Sequence, residues 1–163
     1  MQVMTTLPQE NLNDVPQAAR NAEMVGFDMV ATMENRYEPF MPLAAAAIST
    51  KTINIGTAVA IAFPRSPMVV ASTCWDLQNA SDGRFVLGLG PQIKPHNEKR
   101  FSVPWSPPAP RIREYVLALR AIWKNWEHGE KLDFRGEHYT FTLMTPNFVP
   151  ISTDQAPIPV TIA

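Results

Sequence analysis

Residues 83–95 read GRFVLGLGPQIKP, and the reading of this stretch decides the fold. An apolar run from Phe85 closes on Gly88-Leu89-Gly90, and polar residues follow, in the outline of a phosphate-binding turn. The dinucleotide fingerprint requires a third small residue three places after the second glycine, and then a helix. Ile93 holds that place, with Pro91 and Pro95 on either side. Proline has no amide to donate and turns the preceding residue away from helical geometry. The stretch therefore reads as a buried strand that runs into a loop, and its neighbours must say which sheet it joins.

Upstream, INIGTAVAIA (53–62) and FDMVATM (27–33) are continuous apolar runs, as expected of strands covered on both faces. MQVMTTL (1–7) alternates and stops at Pro8, a further strand. Between these runs lie helix signals. Asn13-Asp14 offers an N-cap, Pro16 suits a first turn, Val15, Ala18, Ala22 and Val25 follow at helical spacing, and Gly26 is a stop. An alanine-rich helix is predicted over Met41 to Thr50, and Ser66-Pro67 opens another over 68–81 that closes at Asp82-Gly83. Downstream, a long loop (91–110) leads to an amphipathic helix carrying Ile112, Tyr115, Val116, Leu119, Ile122, Trp123 and Trp126. LDFRGEHYTF (132–141) reads as a hairpin turned at Arg135-Gly136, and IPVTIA (158–163) begins a fifth strand.

Regular βα units with all-apolar strands imply a parallel sheet joined by right-handed crossovers. An open doubly wound sheet and an eight-stranded barrel both satisfy that pattern. The apolar run at 158–163 favours the barrel: strands 1–4 and the start of strand 5 of a (β/α)8 TIM-type fold, with 1–163 as one N-terminal half-domain. A full barrel needs about 250 residues.

Composition narrows the function classes. Of 163 residues 45% are apolar and 18% charged, the balance of a folded globular chain. The net charge is −1 with no Lys/Arg run longer than two, which disfavours nucleic acid and anionic membrane as partners. No apolar run approaches the ~18 residues of a membrane span, so a cytoplasmic location is expected. The single cysteine, Cys74, sits among apolar residues and reads as a core thiol. His96, His128 and His138 lack metal-ligand spacing, so no metal site is expected.

Several stretches, in order, resemble the luciferase-like monooxygenases. GFDMVATMENRYEPF (26–40) resembles the family's second strand and loop, and INIGTAVAIAFPRSP (53–67) its third strand with Gly-Thr and Arg-x-Pro. GRFVLGLG (83–90) resembles its fourth strand, and REYVLALRAIWKNW (113–126) with LDFRGEHY (132–139) its fourth helix and hairpin. The resemblance implies half of a barrel oxidoreductase that uses coenzyme F420 (the preferred choice) or FMN, and acts on a small-molecule substrate by hydride transfer or oxygen activation. A truncated, non-catalytic half-barrel that needs its other half is the alternative. A homo-oligomer or a complementary half-barrel is the expected partner.

Barrel chemistry sits at the C-terminal ends of the strands. That rule selects Leu7-Pro8, Glu34-Asn35, Ala58-Val59-Ala60 and Gly90-Pro91-Gln92. Glu34 and Asn35 are the catalytic candidates. The deazaflavin branch often carries Asp then a catalytic His at this place, and Asn35 stands where that histidine would be. A solvated loop carboxylate is the plain alternative for Glu34. Ala58-Val59 matches a position where family members often have a non-prolyl cis peptide behind the ring, against an ordinary trans strand. Ala58, Val59, Ala60, Gly88, Gly90 and Gln92 are the cofactor-binding candidates, the two glycines by leaving room for a planar ring.

Overall fold

The computed structural model describes residues 1–152 and 155–163. Among them eight strands occur: β1 (Met4–Thr6), β2 (Met29–Thr32), β3 (Asn54–Thr57), β4 (Ala60–Ile61), β5 (Phe85–Gly90), β6 (Phe134–Arg135), β7 (Thr140–Phe141) and β8 (Val160–Ile162). The helices are α1 (Val15–Val25), α2 (Phe40–Ser49), α3 (Pro67–Ala80) and α4 (Pro108–His128). The chain falls into two compact units: Met1–Ala60 with Thr73–Gly90 and Gln155–Ala163, and Ile61–Ser72 with Pro91–Asp154.

In the first unit the strands run parallel in the order β1-β2-β3-β5, with β8 on β5. Val30, Ala31, Ile55, Phe85, Leu87 and Leu89 have no exposed surface, which is why these strands are apolar without alternation. The sheet does not close on itself: among the described residues β1 pairs only with β2, and β8 only with β5. α1 packs on α2, and α2 lies against β2 and β3.

The boundaries depart from the sequence expectations at three places with a local cause. The strand expected over 53–62 is two pieces, β3 and β4, and the Ala58-Val59 peptide between them is cis. The cap expected at Asn13-Asp14 lies further upstream, because a 3-10 turn (Leu12–Asp14) precedes α1; Asn11 Oδ1 accepts from the Asn13 amide at 3.1 Å, and Asp14 makes no cap bond. α4 starts at Pro108 rather than near Ile112, since first-turn amides have no helical partner and prolines there forfeit nothing. Gly26 ends α1 as expected, at φ 93°. The loop over 91–110 contains a π-helical turn, His96–Arg100. Cys74 is fully buried, and burial pushes its thiol pKa up.

A carboxylate fixes the entry to β3. Glu23 Oε1 accepts from the amides of Lys51 (2.9 Å), Thr52 (2.6 Å) and Ile53 (3.0 Å) and from Thr52 Oγ1 (2.9 Å). Desolvation raises the Glu23 pKa, but these backbone donors outweigh it and bring the value down to about 2. A depressed carboxylate stabilises the fold fully above its unfolded pKa and loses that contribution as pH falls through the folded value. Glu23 is part-exposed, so solvent screening reduces the benefit to about 1 kcal/mol. Urea unfolding of the wild type and Glu23→Gln should differ by that amount at neutral pH. The gap should close between about pH 4.5 and 2; a gap independent of pH would refute the assignment.

The second unit is organised by α4. Its face of Ile112, Tyr115, Leu119, Ile122 and Trp123 is buried as expected, and Trp123 Nε1 donates to the Ala71 carbonyl at 3.2 Å. β6 and β7 form the predicted hairpin, with Arg135 before a turn in which Gly136 N donates to Tyr139 O at 2.9 Å. Glu114 of α4 reaches that turn and accepts from three successive amides: Glu137 (3.0 Å), His138 (2.8 Å) and Tyr139 (2.7 Å). A Cβ on Gly136 would overlap the Glu114 carboxylate, so a larger residue there would push that side chain off the turn. Arg111 lies 4.3 Å over the Phe63 ring and donates to Tyr139 Oη at 3.1 Å. Burial raises the Tyr139 pKa, and Arg111 opposes the rise. Glu114→Ala should leave amides 137–139 without acceptors and lower their hydrogen-exchange protection by about tenfold or more, on the basis of charge-assisted bonds worth ~1.5–3 kcal/mol each. Unchanged exchange at these three amides would show that the carboxylate does not hold the turn.

Candidate active site

The C-terminal ends of β1, β2, β3 and β5 lie in the first unit, and hydrogen bonds beyond the regular ladder hold them together. The Ala58 amide donates to Thr32 O at 2.7 Å, and the Glu34 amide to Val59 O at 3.3 Å. These two bonds carry the β2–β3 pairing past the ends of both strands and set Glu34 beside Ala58-Val59. On the other side of β2, Gln9 Oε1 accepts the Met33 amide at 3.2 Å. Thr32 Oγ1 turns inward and donates to Pro39 O at 2.7 Å, which ties the loop after β2 to the start of α2.

Between β3 and β5 a threonine side chain stands in for the ladder. Thr57 Oγ1 donates to Gly88 O at 2.7 Å and accepts from Gly88 N at 2.9 Å, both in the buried interior. A Cβ on Gly88 would run into the Thr57 carbonyl oxygen, and one on Gly90 would stand 2.8 Å from Val59 Cγ2. The space these glycines leave is thus filled by β3 and the residues after it.

The candidates therefore separate by exposure. Ala60, Gly88 and Gly90 are buried. Glu34, Ala58 and Val59 are half-buried at the strand ends, and Asn35 is exposed, with its Oδ1 accepting from the Arg36 amide. Gln92 belongs to the second unit. It has a left-handed backbone (φ 60°), and its Oε1 accepts from the Ile93 amide at 2.8 Å. Among the described residues no group of three or more His, Cys, Asp or Glu could hold a metal ion, and no helix is long and apolar enough to cross a membrane.

Three residues that organise the site were not singled out by sequence. Thr57 stood inside a quoted motif, but its two bonds to Gly88 depend on register. Arg84 donates to Thr50 Oγ1 (3.0 Å) and to the carbonyls of Ile53, Ala47 (3.1 Å) and Thr50 (3.0 Å), capping the end of α2 and fixing the start of β3. Burial lowers its pKa, and Glu23 and Asp82 oppose that shift, so the guanidinium stays charged. Gln9, three residues after β1, meets the same end-of-strand rule that selected Glu34.

Parallel βα units whose half-buried polar and small residues gather at the C-terminal strand ends define one part of a barrel-type scaffold. The chain belongs to the luciferase-like monooxygenase family, whose model matches residues 1–163. The Mycobacterium tuberculosis protein Rv1360 is 55% identical over 133 residues, covering 82% of this chain and 39% of that protein. Rv3520c of the same organism, named provisionally as a coenzyme F420-dependent oxidoreductase, is 31% identical over 140 residues, covering 83% of this chain and 38% of that protein. Among solved structures, the oxygenating constituent of 3,6-diketocamphane monooxygenase from Pseudomonas putida was determined in complex with FMN. It superposes with a TM-score of 0.77 at 17% identity, over 99% of this chain and 51% of that one. The fold is thus the TIM-barrel type of these proteins with the barrel not closed, and the chain spans about two fifths of the length of the curated relatives it matches.

Proposed function

We propose that this chain forms the ring-binding half of a deazaflavin- or flavin-dependent oxidoreductase, with coenzyme F420 preferred over FMN. The observation that carries the reading is the main-chain hydrogen bond from the Glu34 amide to Val59 O, which sets the half-buried residue Glu34 beside the half-buried, apolar Ala58-Val59 step. Those residues fit a planar, polar-edged ring: Ala58 and Val59 offer an apolar surface, and Glu34 an acceptor for a ring or substrate donor. When bound, the ring supplies hydride transfer or oxygen activation, and the protein supplies orientation and electrostatics. Glu34 and Asn35 are the catalytic candidates, orienting the substrate through hydrogen bonds. Asn35 has no proton to exchange near neutral pH, so it does not take the acid–base part of a histidine. The preference for F420 is supported by the relative Rv3520c. A small-molecule substrate and a cytoplasmic setting belong to the same reading.

Fluorescence and absorbance titrations with F420 and with FMN test it. F420 should bind more tightly than FMN, and Glu34→Gln should weaken the tighter complex. Absence of any spectral change with either ring would exclude the reading. The open outer edges of β1 and β8 then favour the second one, a half-barrel without activity of its own that needs a second copy or a complementary half.

A further inference from the structure

We infer that Gln9 is the hydrogen-bond donor that anchors a carbonyl oxygen of the ring at these strand ends. The inference rests on the ring-binding reading above and adds a residue to it. Gln9 Oε1 accepts the Met33 amide at 3.2 Å. A backbone N–H can only donate, so turning the side-chain amide over would set one donor against another. Met33 therefore imposes the orientation, and Nε2 must carry its two hydrogens away from β2. In that position Nε2 is covered from solvent and has no hydrogen-bond partner. Native structures leave few buried donors unpaired, because such a group loses its water without gaining an acceptor.

The location matches the need. Gln9 lies three residues after β1, and its partner Met33 is the immediate neighbour of Glu34. The Gln9 residue is half-buried in a loop after the strand, not sealed in the sheet. The amide offers donors only, on the side away from Met33, so it selects an acceptor atom. The dione edge shared by flavin and deazaflavin rings carries two carbonyl oxygens of that kind. Gln9 is a positioning and binding residue in this scheme and moves no proton.

Gln9→Glu removes the donor and adds a charge that repels a carbonyl oxygen, while the carboxylate keeps an acceptor for the Met33 amide; the uncharged Gln9→Met separates the two effects. Titration of the chain with F420 and with FMN should show affinity at least about tenfold weaker in the variant. The absorption band of the bound ring should shift in the variant that still binds it. Gln9→Met, of similar length, removes both ends of the amide and should lose the same affinity together with some stability. If the wild type binds a ring and both variants bind it equally well, the Gln9 inference is overturned and ring binding stands. If the wild type binds neither ring, both fall together.

Discussion

Thr57→Val should destabilise the first unit by about 2–4 kcal/mol, because it leaves both the amide and the carbonyl of Gly88 buried without partners. The substitution preserves shape and apolar volume, so the loss measures the two bonds of 2.7 and 2.9 Å. Gly88→Ala should cost about as much or more, through overpacking. Its new methyl group meets the Thr57 carbonyl oxygen, a backbone atom that cannot rotate aside. The double variant separates the two mechanisms. The obstruction to that methyl group is main chain, so removing the Thr57 hydroxyl gives no relief, and Thr57→Val/Gly88→Ala should be no more stable than Gly88→Ala. Urea or thermal unfolding reads all three. A Thr57→Val variant within ~0.5 kcal/mol of wild type would show that the hydroxyl is dispensable, since that is the range of surface changes.

Arg84→Ala should cost about 3 kcal/mol, which at this chain length is a fall in Tm of roughly 6–12 °C. Four acceptors lose their donor at once: the carbonyls of Ala47, Thr50 and Ile53 and the Thr50 hydroxyl. Three of them belong to the end of α2, where carbonyls lack helical partners and the dipole favours a cation. Arg84→Lys keeps the charge but not the fork of donors, so it should recover only part of the loss. Full recovery by lysine would mean that charge rather than geometry holds this corner. A neutral alanine variant would remove Arg84 from the account of the fold altogether.

Glu23 and Arg84 act on the same short segment from opposite sides. Glu23 takes the amides of residues 51–53, and Arg84 takes the carbonyls of residues 47, 50 and 53. The link between α2 and β3 thereby has both its donors and its acceptors satisfied by charged side chains, one from α1 and one from the entry to β5. The Ala58-Val59 step and the Glu34 contact lie at the far end of β3, so this link anchors the strand that carries them.

Much of the architecture was legible locally. Apolar runs, glycine stops and prolines at helix starts are short-range signals, and they placed the parallel strands and the four helices. Glu34 and Ala58-Val59 are candidates by the rule that barrel chemistry lies at strand ends. What stands where the Cβ atoms of Gly88 and Gly90 would be is not legible in the sequence, because a missing Cβ does not say what fills its place. Thr57 fills it at Gly88 and Val59 at Gly90. Gly136 is the same case: its turn is visible in RGEHY, but what occupies the space beside it is Glu114, 22 positions earlier on another element.

The sequence by itself determined the βα order and the buried character of the strands, since those follow from residues a few places apart on one backbone. Only the tertiary structure decided which polar atoms meet. Thr57 finds Gly88, Glu23 finds residues 51–53, Arg84 finds the end of α2, and Gln9 finds Met33, with separations of 24 to 37 residues. Those pairings depend on strand register and helix orientation, where a slip of one residue turns a side chain to the opposite face.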